Sequence, residues 1–177
     1  GVLTMTLDGF WQFDEVAERG YHDALVNPAM LSAKEVGRVL VAGGGDGLAA
    51  RNALRYSGTR VTNVELDPMV VHVARKVGPV ARLNRGSFGN PRVDVRVGDA
   101  VEFVRSLGPK FDVGLADFPD PITLGVGHLF TEPVIRSFAD RLAPGGTMAW
   151  QASWPRAPAY QEVFRTFERL GFDTRGV

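Results

Sequence analysis

The chain has 177 residues, of which 45% are hydrophobic and 23% are charged, and its formal net charge is zero. This fits one globular domain with a substantial core, and the balanced charge gives no electrostatic footprint for nucleic acid or for an anionic membrane. The chain has no cysteine, which excludes disulfides and thiolate chemistry and suits a cytoplasmic location. No run of about 18 apolar residues occurs, so we expect no membrane contact from this chain.

The first predicted elements are a β-hairpin and a short helix. Two β-prone runs, residues 2–6 and 10–13, flank Asp8-Gly9, and this arrangement is a hairpin signal. The charged residues 14–19 predict a loop, and residues 21–31 predict a short helix. We therefore treat residues 1–31 as a hairpin and helix that form part of a substrate site.

Strands alternate with helices through the rest of the chain. Strands are predicted for residues 38–42, 60–65, 92–97, 111–116 and 147–151. Helices are predicted for residues 48–54, 68–76, 100–107, 131–142 and 159–170. Residues 77–91 predict a long surface connection, residues 118–128 a loop over a pocket, and Pro144-Gly145-Gly146 a turn. The alternation predicts an α/β fold with an open, mostly parallel sheet across residues 32–177.

A glycine cluster follows the first strand of this sheet. The run Gly43-Gly44-Gly45-Asp46-Gly47 separates an apolar strand from a helix-forming segment. In such a unit, glycines permit a tight turn and let the backbone approach a ligand closely. Because Asp46 would repel a phosphate, we predict an adenosyl ligand without phosphates, or one with a positive group near Asp46. The alternative is a turn in which the glycines serve packing alone.

Acidic residues end or follow four of the strands, at the edge where open parallel sheets bind ligands. They are Asp46, Glu65, Asp99 and Asp117. Glu65 lies 18 residues after Gly47, where a carboxylate can accept hydrogen bonds from both ribose hydroxyls. Asp99, together with Ala100, is placed to meet an adenine edge, although an ordinary helix N-cap is an equal interpretation.

The segment Asp117-Phe118-Pro119-Asp120-Pro121 carries the strongest chemical signal. Two carboxylates three residues apart on a proline-stiffened loop can point into one pocket. Together with Asp46 they would form an acidic cavity that fits a cationic amine. Crowded carboxylates raise the pKa of at least one of them, which helps that group to act as a base near neutral pH. The alternative is a turn that begins with an aspartate.

A series of motifs in chain order resembles the spermidine synthase family of polyamine aminopropyltransferases. These motifs are Leu7-Asp8-Gly9, Tyr21-His22-Asp23, Gly43-Gly44-Gly45-Asp46-Gly47, Val64-Glu65-Leu66-Asp67, Asn90-Pro91-Arg92-Val93, Gly98-Asp99-Ala100 and Asp117-x-x-Asp120-Pro121. The resemblance implies a Rossmann-like sheet of the S-adenosylmethionine-dependent methyltransferase type. It also implies transfer of the aminopropyl group of decarboxylated S-adenosylmethionine to an amine such as putrescine, which would give spermidine and methylthioadenosine.

The resemblance further implies a role for each candidate residue. Asp117 would be the base that deprotonates the attacking amine, and Asp120 would help to hold the polyamine. Asp46 would bind the amine of the aminopropyl group and would disfavour ordinary S-adenosylmethionine, whose carboxylate would face a like charge. Four further residues would line the substrate side: Gln12, Tyr21, His22 and Gln151. The nucleoside would contact Gly43, Gly45, Gly47, Glu65, Asp99 and Ala100. Taken alone, His22 is better explained as a structural residue of its helix, so its functional role rests on the resemblance.

The resemblance implies no tightly bound cofactor and no metal, with decarboxylated S-adenosylmethionine as co-substrate and a homo-oligomer, such as a dimer, as the assembly. The chain begins at Gly1 rather than Met and stops where a further strand would start. We therefore expect a domain truncated at its C-terminal end, with an upstream part removed. Two alternatives remain open: a non-catalytic polyamine- or nucleoside-binding relative, and an S-adenosylmethionine-dependent methyltransferase. Asp46, Asp117 and Asp120 disfavour the second, because a methyl donor keeps its carboxylate.

Overall fold

A computed structural model describes residues 1–7, 9–121, 124–152 and 157–176. The strands are β1 (Thr4–Leu7), β2 (Phe10–Asp14), β3 (Arg38–Gly43), β4 (Arg60–Glu65), β5 (Val93–Val97), β6 (Phe111–Asp117) and β7 (Leu142–Trp150). The helices are α1 (Glu18–Ser32), α2 (Leu48–Ala53), α3 (Pro68–Lys76), α4 (Gly78–Leu83), α5 (Ala100–Arg105), α6 (Leu124–Gly127), α7 (Glu132–Ala139) and α8 (Pro158–Arg169). Single 3₁₀ turns cover Ser87–Gly89 and His128–Phe130.

The main sheet contains five parallel strands in the order β5-β4-β3-β6-β7. Strands β1 and β2 form a separate antiparallel hairpin, which confirms the hairpin prediction, although Asp8 in its turn lies outside the described residues. Among the described helices, none is long and apolar enough to cross a bilayer.

Both faces of the sheet are covered by helices, and this explains why its middle strand, β3, is apolar after Arg38. On β3, Leu40 and Ala42 pack into one hydrophobic cluster with helices α5, α7 and α8. The alternate residues Val39 and Val41 pack into a second cluster with α1, α2 and α3. The chain therefore forms three layers, with the helices of the first half on one face.

The order of the strands reverses between β3 and β6. Strands β4 and β5 extend the sheet to one side of β3, while β6 and β7 extend it to the other. The connections that leave adjacent strands at such a switch point diverge, so a crevice opens at their carboxyl ends. Gly43 at the end of β3 pairs in register with Asp117 at the end of β6. The glycine loop and the predicted catalytic aspartate therefore meet at the crevice.

The prediction of a surface connection over residues 77–91 is wrong. The segment contains helix α4 and a 3₁₀ turn, and Val80, Asn84, Ser87 and Phe88 are buried. Its glycines and prolines favour a loop locally, but these four side chains fold the segment against the body of the protein.

Three boundary predictions also need correction. Helix α1 begins at Glu18, inside the predicted loop, because Asp14 Oδ1 accepts hydrogen bonds from the amides of Val16 and Ala17 just ahead of it. Strand β7 begins at Leu142 and includes the predicted Pro-Gly-Gly turn as an irregularity in its pairing with β6. The predicted loop over residues 118–128 contains the short helix α6, and its residues 122 and 123 lie outside the described residues.

Candidate active site

The glycine loop lies against the end of β6, where a side chain would not fit. A Cβ atom on Gly43 would lie 2.3 Å from the Asp117 carbonyl oxygen, and one on Gly44 would lie 2.9 Å from Asp117 Oδ2. Both glycines also adopt positive φ angles, which residues with a side chain rarely adopt. The Gly44 amide donates to the Asp117 carbonyl over 3.2 Å. These glycines therefore let the loop approach Asp117 directly.

Glu65 is the last residue of β4, and its carboxylate binds the backbone of Gly45 in the glycine loop. Its Oε2 accepts a 3.0 Å hydrogen bond from the Gly45 amide, and its Oε1 accepts one of 2.9 Å from the Asp67 amide. A Cβ atom on Gly45 would lie 2.4 Å from Glu65 Cγ. Burial raises the pKa of Glu65. Glu65 thus stands beside the loop, where a bound nucleoside could reach its carboxylate.

Asp46 is the acidic residue within the loop. Its Oδ1 accepts a 2.8 Å hydrogen bond from the Leu48 amide at the start of α2. Burial raises the pKa of Asp46 to about 6, the nearby imidazole of His22 opposes that shift, and the Asp117 carboxylate adds to it. One ligand atom from each of Asp46, Asp117 and His22 lies within 4.8 Å of the others. Among the described residues, this is the one group of three such side chains whose ligand atoms come so close together.

Asp117 is contacted by two residues of helix α1. The Tyr21 hydroxyl donates to Asp117 Oδ1 over 2.6 Å, and His22 Nε2 lies 3.7 Å from Oδ2. Desolvation of the hydroxyl and the adjacent carboxylate raise the pKa of Tyr21 well above its ordinary value, so the phenol remains a donor. The sequence predicted each of these residues for the site, and the structure brings them together.

A buried ion pair behind His22 was not predicted from the sequence. Glu18 accepts two hydrogen bonds of 2.9 Å from the Arg51 guanidinium and lies 3.3 Å from His22 Nδ1. His22 Nδ1 also contacts the Glu18 carbonyl oxygen over 2.7 Å, so Nδ1 carries a proton and Nε2 is the nitrogen that faces Asp117. The i, i+4 spacing of Glu18 and His22 on one helix was the available signal.

The charges around this buried ion pair shift the pKa values of Glu18 and His22. Burial raises the pKa of Glu18, but hydrogen bonds from His22 and Arg51 outweigh it, and the net pKa is about 2. Burial lowers the pKa of His22, but Glu18, Asp117 and Asp46 outweigh it and raise the pKa to about 8. At neutral pH, His22 is therefore largely an imidazolium that lies between carboxylates.

Asp120 and Gln151 meet at the far side of the crevice. Gln151 Nε2 donates to Asp120 Oδ1 over 2.6 Å, and the Gln151 amide donates to the Ala116 carbonyl over 3.0 Å. Gln151 Oε1 is buried and has no hydrogen-bond partner among the described residues. The pair joins the loop after β6 to the end of β7 and leaves an acceptor available.

Three predicted residues, Asp99, Ala100 and Gln12, make their contacts elsewhere. Asp99 is exposed and caps α5, since its Oδ1 accepts hydrogen bonds from the amides of Val101 and Glu102. Ala100 is buried in the core. Gln12 lies on β2, and its Nε2 donates to the Phe10 carbonyl over 3.4 Å. The N-cap interpretation of Asp99 is confirmed, while contacts of these residues with a ligand stay predictions.

A family model for the spermine/spermidine synthase domain matches residues 18–170. The chain belongs to the spermine/spermidine synthase family. It is 41% identical to the polyamine aminopropyltransferase of Synechococcus sp. (strain JA-2-3B'a(2-13)), over 94% of this chain and 55% of that protein. It is 39% identical to polyamine aminopropyltransferase 1 of Streptomyces coelicolor, over 97% of this chain and 33% of that protein. The chain thus spans between a third and about half of the length of these curated relatives.

Solved structures of spermidine synthases share this fold. One is a spermidine synthase in complex with the transition-state analogue AdoDATO, which matches with a TM-score of 0.86 at 28% identity, over 94% of this chain and 57% of that chain. Another is spermidine synthase from Thermotoga maritima, with a TM-score of 0.83 at 27% identity, over 94% of this chain and 56% of that chain. These matches confirm the predicted Rossmann-like α/β fold, and the sequence-based assignment to this family is correct.

Proposed function

We propose that this chain contains the transfer site of a polyamine aminopropyltransferase. Its reaction would move the aminopropyl group of decarboxylated S-adenosylmethionine to an amine such as putrescine, and the products would be spermidine and methylthioadenosine. The observation that carries the proposal is the convergence of Asp46 and Asp117 at the switch point of the sheet, within 4.8 Å of each other and of His22. The two carboxylates outnumber the single imidazolium of His22, so the group keeps a net negative charge and favours a cationic ligand over an anionic one.

The donor would lie along the glycine loop. Glu65, which is held by the Gly45 amide, would accept hydrogen bonds from the ribose, and Asp99 with Ala100 would contact the adenine. Asp46 would bind the ammonium of the aminopropyl group. Ordinary S-adenosylmethionine carries a carboxylate in this region, which Asp46 would repel, and this supports a decarboxylated donor.

Asp117 would be the base. An ammonium has no free electron pair, so the attacking amine must first give a proton to Asp117. The nitrogen then forms a bond with the aminopropyl carbon while the carbon–sulfur bond breaks. Its electron pair goes to the sulfonium sulfur, which leaves as the neutral thioether of methylthioadenosine. The Tyr21 hydroxyl, which lies 2.6 Å from Asp117 Oδ1, would orient the carboxylate for this transfer.

The acceptor would extend toward Asp120 and Gln151. The 2.6 Å contact between these residues supports a polar subsite in which Asp120 would pair with the distal ammonium. The unpartnered Gln151 Oε1 would accept a hydrogen bond from the same group. Gln12, Tyr21 and His22 would complete the substrate side. A cytoplasmic location and a homodimeric state remain predictions from the sequence.

Replacing Asp117 with Asn tests the central role. We expect transfer to fall by a factor of about 100 to 10,000, the usual contribution of a general base, while methylthioadenosine binding stays close to that of the unmodified protein. Asp112→Asn is a matched control, because Asp112 lies at the opposite end of the same strand. If Asp117→Asn transferred the group at a near-normal rate, Asp117 could not be the base.

A further inference from the structure

The segment wrongly predicted as a surface connection supports the glycine loop from behind. Two polar side chains of this segment are almost fully buried: Asn84, directly after helix α4, is 0% exposed, and Ser87, at the start of the 3₁₀ turn, is 2% exposed. A buried polar group is retained where its hydrogen bonds are satisfied, because an unpaired one is costly. The partners of these two side chains are therefore informative.

Both polar atoms of the Asn84 side chain form hydrogen bonds. Nδ2 donates to the Asp46 carbonyl over 2.8 Å and to the Ala74 carbonyl over 3.0 Å. Oδ1 accepts a 2.9 Å hydrogen bond from the Gly86 amide. One side chain thus joins the glycine loop to the end of helix α3 and to its own turn.

Ser87 holds the next carbonyl of the loop. Its hydroxyl donates to the Gly47 carbonyl over 2.7 Å, and a Cβ atom on Gly47 would lie only 2.6 Å from the Ser87 oxygen. Gly47 has a φ of 80°, so the loop turns sharply at this contact. The carbonyls of two consecutive residues, Asp46 and Gly47, are therefore held by two neighbouring side chains.

The turn that carries these side chains has an unusual backbone. Arg85 has a φ of 55° and Gly86 a φ of 63°, so two consecutive residues are left-handed. This conformation is costly for a residue with a side chain such as Arg85, and it persists where surrounding contacts require it. Here it returns the chain from α4 so that Ser87 reaches the loop.

We propose that Asn84 and Ser87 are positioning residues that aim the Asp46 carboxylate, and that they thereby set the preference for a ligand with an ammonium group over a neutral nucleoside. This inference rests on the proposed function, in which Asp46 binds the aminopropyl amine. Because Oδ1 of Asp46 is bonded to the Leu48 amide, the direction of the carboxylate depends on the backbone that Asn84 and Ser87 hold. The attraction between two charges weakens with their separation, and a displacement of about 1 Å at a site can be costly.

The test compares two ligands in binding calorimetry with the whole chain. Decarboxylated S-adenosylmethionine carries the ammonium, whereas methylthioadenosine lacks it. For Ser87→Ala and for Asn84→Leu, which cannot donate to the Asp46 carbonyl and adds no charge, we expect the ratio of the two affinities to fall about tenfold, since one hydrogen bond that places a charge is lost. Methylthioadenosine affinity should change by less than this.

Thr59→Val is the matched control. Thr59 is also fully buried, and its hydroxyl donates to the Val36 carbonyl over 3.0 Å, just before strand β4 begins. The Thr59→Val variant therefore loses a similar buried hydrogen bond, at the other end of the sheet. We expect a similar loss of thermal stability in Thr59→Val and Ser87→Ala, but an unchanged affinity ratio in Thr59→Val.

Asp46→Asn separates this inference from the proposed function. If Asp46→Asn leaves the ratio unchanged, Asp46 does not bind the amine and the proposed donor site is wrong. If Asp46→Asn removes the preference while Ser87→Ala and Asn84→Leu keep it, or weaken the binding of both ligands equally, the positioning role is overturned. The inference also requires that Ser87→Ala adds no further loss of preference in the Asp46→Asn background.

Discussion

Replacing Glu18 with Gln should destabilise the protein, because Glu18 is the buried negative charge that connects helix α1 to the active site. Its side chain is only 4% exposed and lies between the Arg51 guanidinium, at 2.9 Å, and His22 Nδ1, at 3.3 Å. Gln keeps the size of the side chain and one acceptor oxygen but removes the charge. The Arg51 guanidinium would then remain largely buried without an anionic partner, which is costly.

The magnitude follows from the pKa of Glu18. Its pKa falls from 4.5 to about 2 on folding, and each unit corresponds to about 1.4 kcal/mol. The ionised carboxylate therefore stabilises the fold by about 3 kcal/mol at neutral pH, of which Gln can replace a part through its acceptor oxygen. We expect Glu18→Gln to lower the free energy of unfolding by about 2 to 3 kcal/mol.

Urea unfolding at several pH values measures this contribution. Because the folded pKa of Glu18 is depressed, its contribution is fully present above pH 4.5 and is lost as the pH falls through about 2. The stability gap between the unmodified protein and Glu18→Gln should therefore narrow on acidification. Glu132→Gln is the matched control: Glu132 also bonds two arginines, but its side chain is 38% exposed, and exposed ion pairs contribute little.

Two results would refute this reasoning about Glu18. One is a Glu18→Gln variant as stable as the unmodified protein at neutral pH. The other is a stability gap that does not depend on pH below 4.5, which would mean that packing rather than charge supplies the effect.

Two further predictions concern the glycine loop and the imidazole. Gly45→Ala should weaken methylthioadenosine binding, because the new Cβ atom would lie 2.4 Å from Glu65 Cγ. Binding calorimetry checks this against the control Gly20→Ala, whose Cβ atom would meet nothing within 4 Å. Equal affinities of the two variants for methylthioadenosine would contradict the prediction. His22 has a pKa of about 8, so its contribution of about 2 kcal/mol is present below pH 6.5 and is lost as the pH rises through 8. The unmodified protein should therefore lose its stability advantage over His22→Gln across this range in urea unfolding, and a constant advantage would argue against a charged His22.

Local signals predicted the boundaries of two elements, α3 and β4, closely. Helix α3 has the predicted boundaries because Asp67 caps it, with its side chain accepting from the Met69 amide, and Pro68 begins it. Strand β4 also has its predicted boundaries, since Val61, Thr62 and Val64 favour a strand, and turn-forming residues, Ser57-Gly58 and Asp67-Pro68, lie on either side of it. In each case the information lies within a few neighbouring residues.

The error over residues 77–91 has a different cause. Glycine, asparagine and proline are typical of loops, and in the sequence of this segment their signal is stronger than that of the apolar Val80 and Phe88. The interactions that order this segment are long-range: Asn84 bonds a carbonyl 38 residues away, and Ser87 bonds one 40 residues away. A local composition window contains no information about such partners.

The candidate site was predictable in part for the same reason. Carboxylates that follow parallel strands meet at one edge of the sheet, so strand assignment alone brings Asp46 and Asp117 together. The pairing of Glu18 with Arg51 spans 33 residues and two helices, and no motif announces it. Sequence patterns therefore predicted the groups that face the crevice, while the groups that support them required the structure.

Methylthioadenosine release is the measurement that tests the central claim most directly. The purified chain is incubated with decarboxylated S-adenosylmethionine and a mixture of putrescine, cadaverine, agmatine and spermidine. We predict release that depends on one of these amines, and the spermidine or related product should form in equal amount. If the chain binds methylthioadenosine but releases none from the donor with any amine, the proposal that it carries a working transfer site is contradicted.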